Sequence, residues 1–270
     1  MSSNAPIGVF DSGIGGMTVV RELMGQLPNE QIIYYGDTAR VPYGNKSAET
    51  VINYSRQITD FLITKGVKAI VIACNTASAL ALETLRNEFD LPIIGVVKPG
   101  AKAAAEATRN GNIGVIATRA TINSGIYEDF LHKTNPEIHV YKQACPLFVP
   151  LVEEGWIDDP ITDRIIHRYL DGLVNHGIDS LVLGCTHYPL LRHRIQEAVG
   201  ESVTLVNPAY ETAKAFKYVL EENNLLNDCA AAPAHEFYVS DSPTQFLDFA
   251  NSILHHTQIE AAAVRIKTFD

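Results

Sequence analysis

The sequence predicts an α/β protein made of two similar lobes, each a mostly parallel sheet flanked by helices, related by a pseudo-twofold axis with the site between them. Two observations carry that expectation. Short apolar, β-branched runs alternate with stretches of helical periodicity along the 270-residue chain, the rhythm of βαβ units feeding parallel sheets. The second observation is an internal repeat. Gly66-Val67-Lys68-Ala69-Ile70-Val71-Ile72-Ala73-Cys74-Asn75-Thr76 lines up without a gap on Gly177-Ile178-Asp179-Ser180-Leu181-Val182-Leu183-Gly184-Cys185-Thr186-His187, and Ile7-Gly8-Val9 parallels Ile113-Gly114-Val115. Buried strands rich in Val, Ile and Leu match one another easily by chance. The shared Gly, the flanking helix and a Cys at the same place in both halves favour duplication instead.

Taken in order, Ile7 to Phe10 is the first strand, and the turn Asp11-Ser12-Gly13-Ile14-Gly15-Gly16 ends it and opens a helix. Ile32 to Tyr35 follows as a strand, and Ser47 to Thr64 carries apolar residues at helical spacing. Ala69 to Ala73 and Ile93 to Val97 are the next strands, after which Lys98-Pro99-Gly100 breaks the chain. The second half repeats the plan. Its strands are Ile113 to Ala117, His139 to Ala144, Leu181 to Gly184 and Val203 to Val206, with Ile161 to Val174 as a crossover helix. Asn207-Pro208 is a second break, Glu211 to Glu222 begins a long helical pattern, Glu236 to Ser240 reads as a strand and Thr244 to His255 as a helix. These breaks place the first lobe at residues 1–97 plus 208–270 and the second at 98–207.

Hydrophobic residues make up 46% of the chain and charged residues 19%, ordinary for a soluble globular protein, and no apolar run has the length of a membrane span. Met1 to Pro6 lack the basic start and apolar core of a signal peptide, so a cytoplasmic location is expected. The net charge of −10, without a cluster of Lys and Arg, argues against nucleic acid or an anionic membrane surface as partner and in favour of a small ligand. Cys74, Cys145, Cys185 and Cys229 are far apart in sequence with no C-x-x-C pair, which excludes a zinc ribbon or thioredoxin-type motif and predicts free thiols in a reducing compartment.

In parallel sheets, ligands bind beyond the carboxyl ends of the strands, and Cys74 and Cys185 each stand just past such an end. Each is followed by a helical start, Asn75-Thr76-Ala77-Ser78 in one half and Thr186-His187-Tyr188-Pro189 in the other, where the helix dipole is expected to favour thiolate. A thiol facing a thiolate is a workable acid and base pair. A single buried Cys is usually inert, but two at equivalent places are not explained that way. Cys145, in an expected strand, and Cys229, in an Ala/Pro-rich loop, keep the inert reading. The glycines after Asp11 allow close approach to an anion. The dinucleotide fingerprint fails, however, because Thr18 stands where its last Gly belongs, and Gly44-Asn45-Lys46-Ser47 lacks P-loop spacing. Asp11 is a helix cap or a proton acceptor near Cys74. His187 is a cap or a proton relay to Cys185, with no second ligand pair at metal spacing. Glu153 and Glu154 are ordinarily surface carboxylates, and His255-His256 reads as a solvated helix end.

Five segments resemble signatures of glutamate racemases, in the aspartate/glutamate racemase superfamily. They are Asp11 to Gly16, Gly36-Asp37-Thr38-Ala39-Arg40-Val41-Pro42-Tyr43-Gly44, Ala73 to Ser78, Cys145-Pro146-Leu147-Phe148-Val149-Pro150-Leu151-Val152-Glu153-Glu154-Gly155, and Leu183 to Leu190. Their order is right, and the resemblance runs from Ile7 through Asp241. It implies an enzyme independent of PLP and metal that supplies D-glutamate for peptidoglycan. By the same resemblance, Cys74 and Cys185 deprotonate opposite faces of the substrate α-carbon, with Asp11 assisting the first and Glu153 with His187 the second. The implied substrate-binding set is Asp11, Ser12, Tyr43, Gly44, Asn75, Thr76, Thr118, Thr121, Thr186 and His187. Hydroxyls and backbone N–H groups at helix starts hold carboxylates without Arg. The sequence departs from the family pattern at Lys98 and at Val206-Asn207-Pro208-Ala209, away from this chemistry. Glutamate is the implied partner, a homodimer being the common default for soluble oligomers. Three other readings compete: a racemase of aspartate or a hydantoin, a non-catalytic dicarboxylate-binding module, and a thiol hydrolase, which needs one nucleophilic Cys.

Overall fold

Strands buried on both faces need helices on both sides, and the chain supplies them by alternation. The first half runs β1 (Ile7–Asp11), α1 (Met17–Gln26), β2 (Ile32–Gly36), α2 (Ala48–Thr64), β3 (Ala69–Ile72), α3 (Asn75–Leu80), α4 (Leu82–Glu88) and β4 (Ile93–Gly95). After α5 (Val97–Ala107) come β5 (Asn112–Ala117), α6 (Arg119–Ser124), α7 (Ile126–Thr134), β6 (His139–Ala144), α8 (Phe148–Glu153), α9 (Pro160–Val174), β7 (Ser180–Gly184), α10 (Arg192–Val199) and β8 (Thr204–Val206). The chain then adds α11 (Pro208–Glu222), β9 (Glu236–Val239), α12 (Pro243–Ile253) and β10 (Val264–Ile266). The structure is a computed structural model that describes residues 2–228, 232–254, 259–260 and 263–269. Cys229 and the His255-His256 pair lie outside the described residues.

Two sheets result, one ordered β10-β9-β2-β1-β3-β4 and the other β6-β5-β7-β8, and every ladder is parallel. The order β2-β1-β3-β4 recurs as β6-β5-β7-β8. Register repeats as well: Ile7 pairs with Ala69 across β1 and β3, and Ile113 pairs with Ser180 across β5 and β7. These are the same residues that the internal repeat aligns, so the repeat describes two halves of one architecture. Each sheet carries apolar clusters on its faces, around Val9, Val71 and Phe216 and around Phe10, Ile58 and Ile70 in the first. In the second, Leu170, Leu183 and Ile195 pack one cluster and Ala101, Val115 and Leu131 the other. Each Val, Leu, Ile or Phe among them contributes about 1.5–3 kcal/mol on full burial.

The ends of elements shift where tertiary context or local capping decides. The strand expected to reach Val97 stops at Gly95, and Val97 already begins α5. Pro99 therefore sits in the first helical turn, where its missing N–H costs no hydrogen bond. At Asn207-Pro208 the same logic applies: the Asn207 side chain accepts from the N–H of Ala209 and Pro208 opens α11. β10 has three residues and a half-exposed first position followed by two exposed ones, too short for any periodicity to announce it. Among the described residues no helix is long and apolar enough to cross a membrane.

Candidate active site

Cys74 and Cys185 follow β3 and β7, equivalent strands that each lie one place in from an edge of their sheet, and both line a single cavity of about 300 Å³. Ser12, Tyr43, Gly44, Asn75, Thr76, Thr118, Glu153, Thr186 and His187 line the same cavity. Two of the expected residues are placed behind its wall. Asp11 is fully buried and Thr121 nearly so, and neither contributes to the lining. The Thr121 hydroxyl lies 3.3 Å from that of Thr76 and 3.0 Å from that of Thr118, so it braces the two lining threonines, which are themselves 2.9 Å apart. These contacts join α3 of one half to α6 of the other.

Around Cys74 the environment is tight. It caps α3, with its Sγ accepting from the N–H of Ala77 at 3.5 Å and donating to Ser12 Oγ at 3.5 Å. The helix start was expected to lower the thiol pKa, and here the structure corrects the sequence. Burial, followed by the Asp11 carboxylate, pushes Cys74 up to about 12 and outweighs both hydrogen bonds. Desolvation penalises the charged form more strongly than one short helix can favour it. Asp11 feels the same burial, which raises its pKa against the opposing pull of His187 and the N–H groups of Gly16, Gly13 and Ser12. Its Oδ2 accepts from Gly13 and Gly16, while Oδ1 is buried without a hydrogen-bond partner among the described residues.

Cys185 differs in its support. The helical start expected after it is a single 3-10 turn, Tyr188–Leu191, with His187 at its cap position, so no helix N-terminus stands directly on the sulfur. A side chain takes that place. His187 Nδ1 lies 3.8 Å from Cys185 Sγ, and its Nε2 lies 2.9 Å from Glu153 Oε1. Burial opposes the imidazolium, but the hydrogen bonds to Cys185 and Glu153 prevail and hold His187 up to about 10. Of the two adjacent glutamates, Glu153 faces the cleft and Glu154 is exposed. The raised pKa has a checkable consequence. The stabilising interaction is fully present below pH 6.5, the ordinary histidine value, and is lost as pH rises through about 10. Glu153→Gln should therefore cost more unfolding free energy near pH 6 than near pH 10 in urea titrations. A cost that is constant or larger at high pH would show that the pair is not its source.

Tyr43 forms a wall of the cavity and donates a short hydrogen bond to buried Asp37. Asp37 also accepts from Arg40 Nε and from Ser240 Oγ at 2.9 Å. Next to Tyr43, a Cβ on Gly44 would meet Thr118 at 2.8 Å, so only glycine lets this loop close on the second half. Sequence reasoning did not single out Val41, Pro42, Asn45, Arg119, Pro146, Val149 and Pro150, which also line the cavity. Most lie inside quoted motifs, yet they carry no proton chemistry that would set them apart. Cys145, just past β6, is fully buried, and burial pushes its thiol up.

Residues 17–216 match the Asp/Glu/Hydantoin racemase family. The chain is 50% identical over 248 residues to the glutamate racemase of Geobacter metallireducens, covering 92% of each chain. It is also 50% identical over 262 residues to that of Neisseria meningitidis, covering 96% of this chain and 97% of the relative. Among solved structures, glutamate racemase RacE1 from Bacillus anthracis superposes with a TM-score of 0.94 at 39% identity, covering 98% of both chains. The Francisella tularensis glutamate racemase, solved with D-glutamate, gives 0.90 at 41% identity with the same coverage. A sheet pair repeated in register, a cysteine at each matching strand end, and identity over nearly the whole length together place this chain in the Asp/Glu/hydantoin racemase family, among its glutamate racemases.

Proposed function

We propose that the chain interconverts L- and D-glutamate by a two-thiol acid/base mechanism, without PLP or metal, and so supplies D-glutamate for peptidoglycan. The observation that carries this reading is the presence, in one cavity, of two cysteines from equivalent positions of a duplicated architecture. Two matching halves that face each other offer one sulfur to each face of a bound α-carbon. As one thiolate removes the α-proton, the C–H electron pair stays on carbon, and the opposite thiol returns a proton to the other face. Inversion follows, and the two sulfurs have exchanged protonation states. The hydroxyls of Ser12, Thr76, Thr118 and Thr186 and the amide of Asn75 line the same space and suit the carboxylates of a dicarboxylic amino acid. Donors already fixed in place stabilise the charge that grows as the proton leaves.

On this reading the lobes are residues 1–97 plus 208–270 and residues 98–207, with one sulfur from each. Their roles are unequal. Asp11 lies behind Cys74 and the His187–Glu153 pair behind Cys185, so each thiol has its own partner for proton traffic. The test is turnover of L- and D-glutamate in deuterated water, with chelator present and no PLP added. Early product should carry deuterium at the α-carbon while the remaining substrate keeps its hydrogen. Failure to invert glutamate, or faster turnover of aspartate, would overturn the assignment.

A further inference from the structure

Two hydrogen bonds across the cleft link each half to the cysteine turn of the other. Thr18, the second residue of α1, is fully buried. Its Oγ lies 3.0 Å from the carbonyl of Thr186, the residue after Cys185, and 3.0 Å from the carbonyl of Gly15. Tyr127, the second residue of α7, is buried and donates its hydroxyl to Asn75 Oδ1 at 2.7 Å. Asn75 is the residue after Cys74. Each half thus lends one hydroxyl to the residue that follows the cysteine of the other half.

Glycines make room for both contacts. A Cβ on Gly15 would meet His187 Cε1 at 2.4 Å and Thr186 Oγ at 2.5 Å, and one on Gly184 would meet the Tyr127 ring at 3.2 Å. The Gly15 carbonyl also receives the Thr18 N–H at 3.0 Å, so it keeps a donor when the Thr18 hydroxyl turns to Thr186. Burial pushes the Tyr127 hydroxyl up, with Cys185 adding to it, so Tyr127 remains a donor. With Oδ1 held by Tyr127, the Asn75 amide N–H₂ is left to face the cavity that Asn75 lines.

We infer that Thr18 and Tyr127 are reciprocal positioning residues: Thr18 sets the Cys185 turn and Tyr127 the Cys74 turn, each from the opposite side of the cleft. The inference rests on the two-thiol reading. Losing one hydroxyl should loosen one thiol and leave the other in place, so the damage should be directional. A small misplacement of a reacting group costs up to about 10²-fold in rate.

The experiment compares kcat/KM for α-protonated and α-deuterated L- and D-glutamate in the wild type, Thr18→Val, Thr18→Ser and Tyr127→Phe. Thr18→Val and Tyr127→Phe should each lose about 10-fold to 10²-fold in kcat/KM. In Thr18→Val the isotope effect should rise for the enantiomer whose α-hydrogen Cys185 removes, since that transfer now limits the rate, and fall for the other. Tyr127→Phe should show the opposite pattern, and Thr18→Ser should match the wild type. Isotope effects that change in parallel for both enantiomers, or that do not change, would overturn the inference, because loosened packing has no reason to favour one direction. If Thr18→Val does not fold, Tyr127→Phe alone must still show the directional change. A wild type that does not racemise glutamate at all would refute the functional reading instead.

Discussion

Cys185→Ser and Cys74→Ser are each expected to lower racemisation by about 10²- to 10⁴-fold, the range that a positioned acid or base contributes. A serine hydroxyl fills nearly the same space but is a far poorer base and acid near neutral pH, so folding should be retained while turnover falls. The two losses should differ in kind. Burial and Asp11 hold Cys74 as a neutral thiol at neutral pH, whereas Cys185 faces the His187 imidazolium. Cys74→Ser should therefore leave α-proton exchange, without inversion, for the enantiomer presented to Cys185. Cys145→Ala, which changes a buried thiol outside the cavity, should retain turnover. Circular dichroism follows inversion, and proton NMR in deuterated water follows exchange. Full turnover in either serine variant would reject the pair of thiols.

Asp11→Asn should act on activity and stability in opposite directions. Asp11 is buried behind Cys74 with one carboxylate oxygen unpartnered, so loss of its charge should cost about 10²-fold or more in kcat. In the wild type, activity should decline on acidification at a pH above the ordinary carboxylate range, because burial raises the Asp11 pKa. The variant should lack that decline. For stability, a carboxyl whose folded pKa is raised favours the folded state below the unfolded pKa, and that contribution is lost as pH rises through the folded one. Once ionised, Asp11 is therefore a burden on the fold. Asn keeps one oxygen for the N–H groups of Gly13 and Gly16 and removes the charge, so the melting temperature at pH 7 should rise while activity falls. Such opposition is expected where a site retains a charge for chemistry. A lower melting temperature for Asp11→Asn would contradict it.

The duplication, the parallel sheets and the facing of two strand ends were legible because they follow from local rules. A β-branched run followed by Gly and Cys means the same thing wherever it occurs, and Gly66 to Thr76 states it once and Gly177 to His187 again. Resemblance to family signatures named the candidate residues on the same basis. What those segments could not convey was the surrounding space. The helix start after Cys74 argued for a lowered pKa, yet desolvation and Asp11, from a different strand, raise it. Glu153 and Glu154 are neighbours in sequence, and only the packing of α8 turns the first toward His187. Thr121 belongs to the threonine cluster but sits behind the cavity wall, because the pitch of α6 directs its hydroxyl between Thr76 and Thr118.

The sequence by itself determined the repeated α/β plan, the order of its elements and the types of residue at the strand ends, since periodicity, turn chemistry and capping act over a few neighbouring residues. Only the tertiary structure decided which charges are desolvated, which of two carboxylates meets the histidine, and that Thr18 and Tyr127 reach across to the opposite cysteine turn. Burial and long-range hydrogen bonds depend on residues brought together from distant parts of the chain, and no local pattern records that meeting.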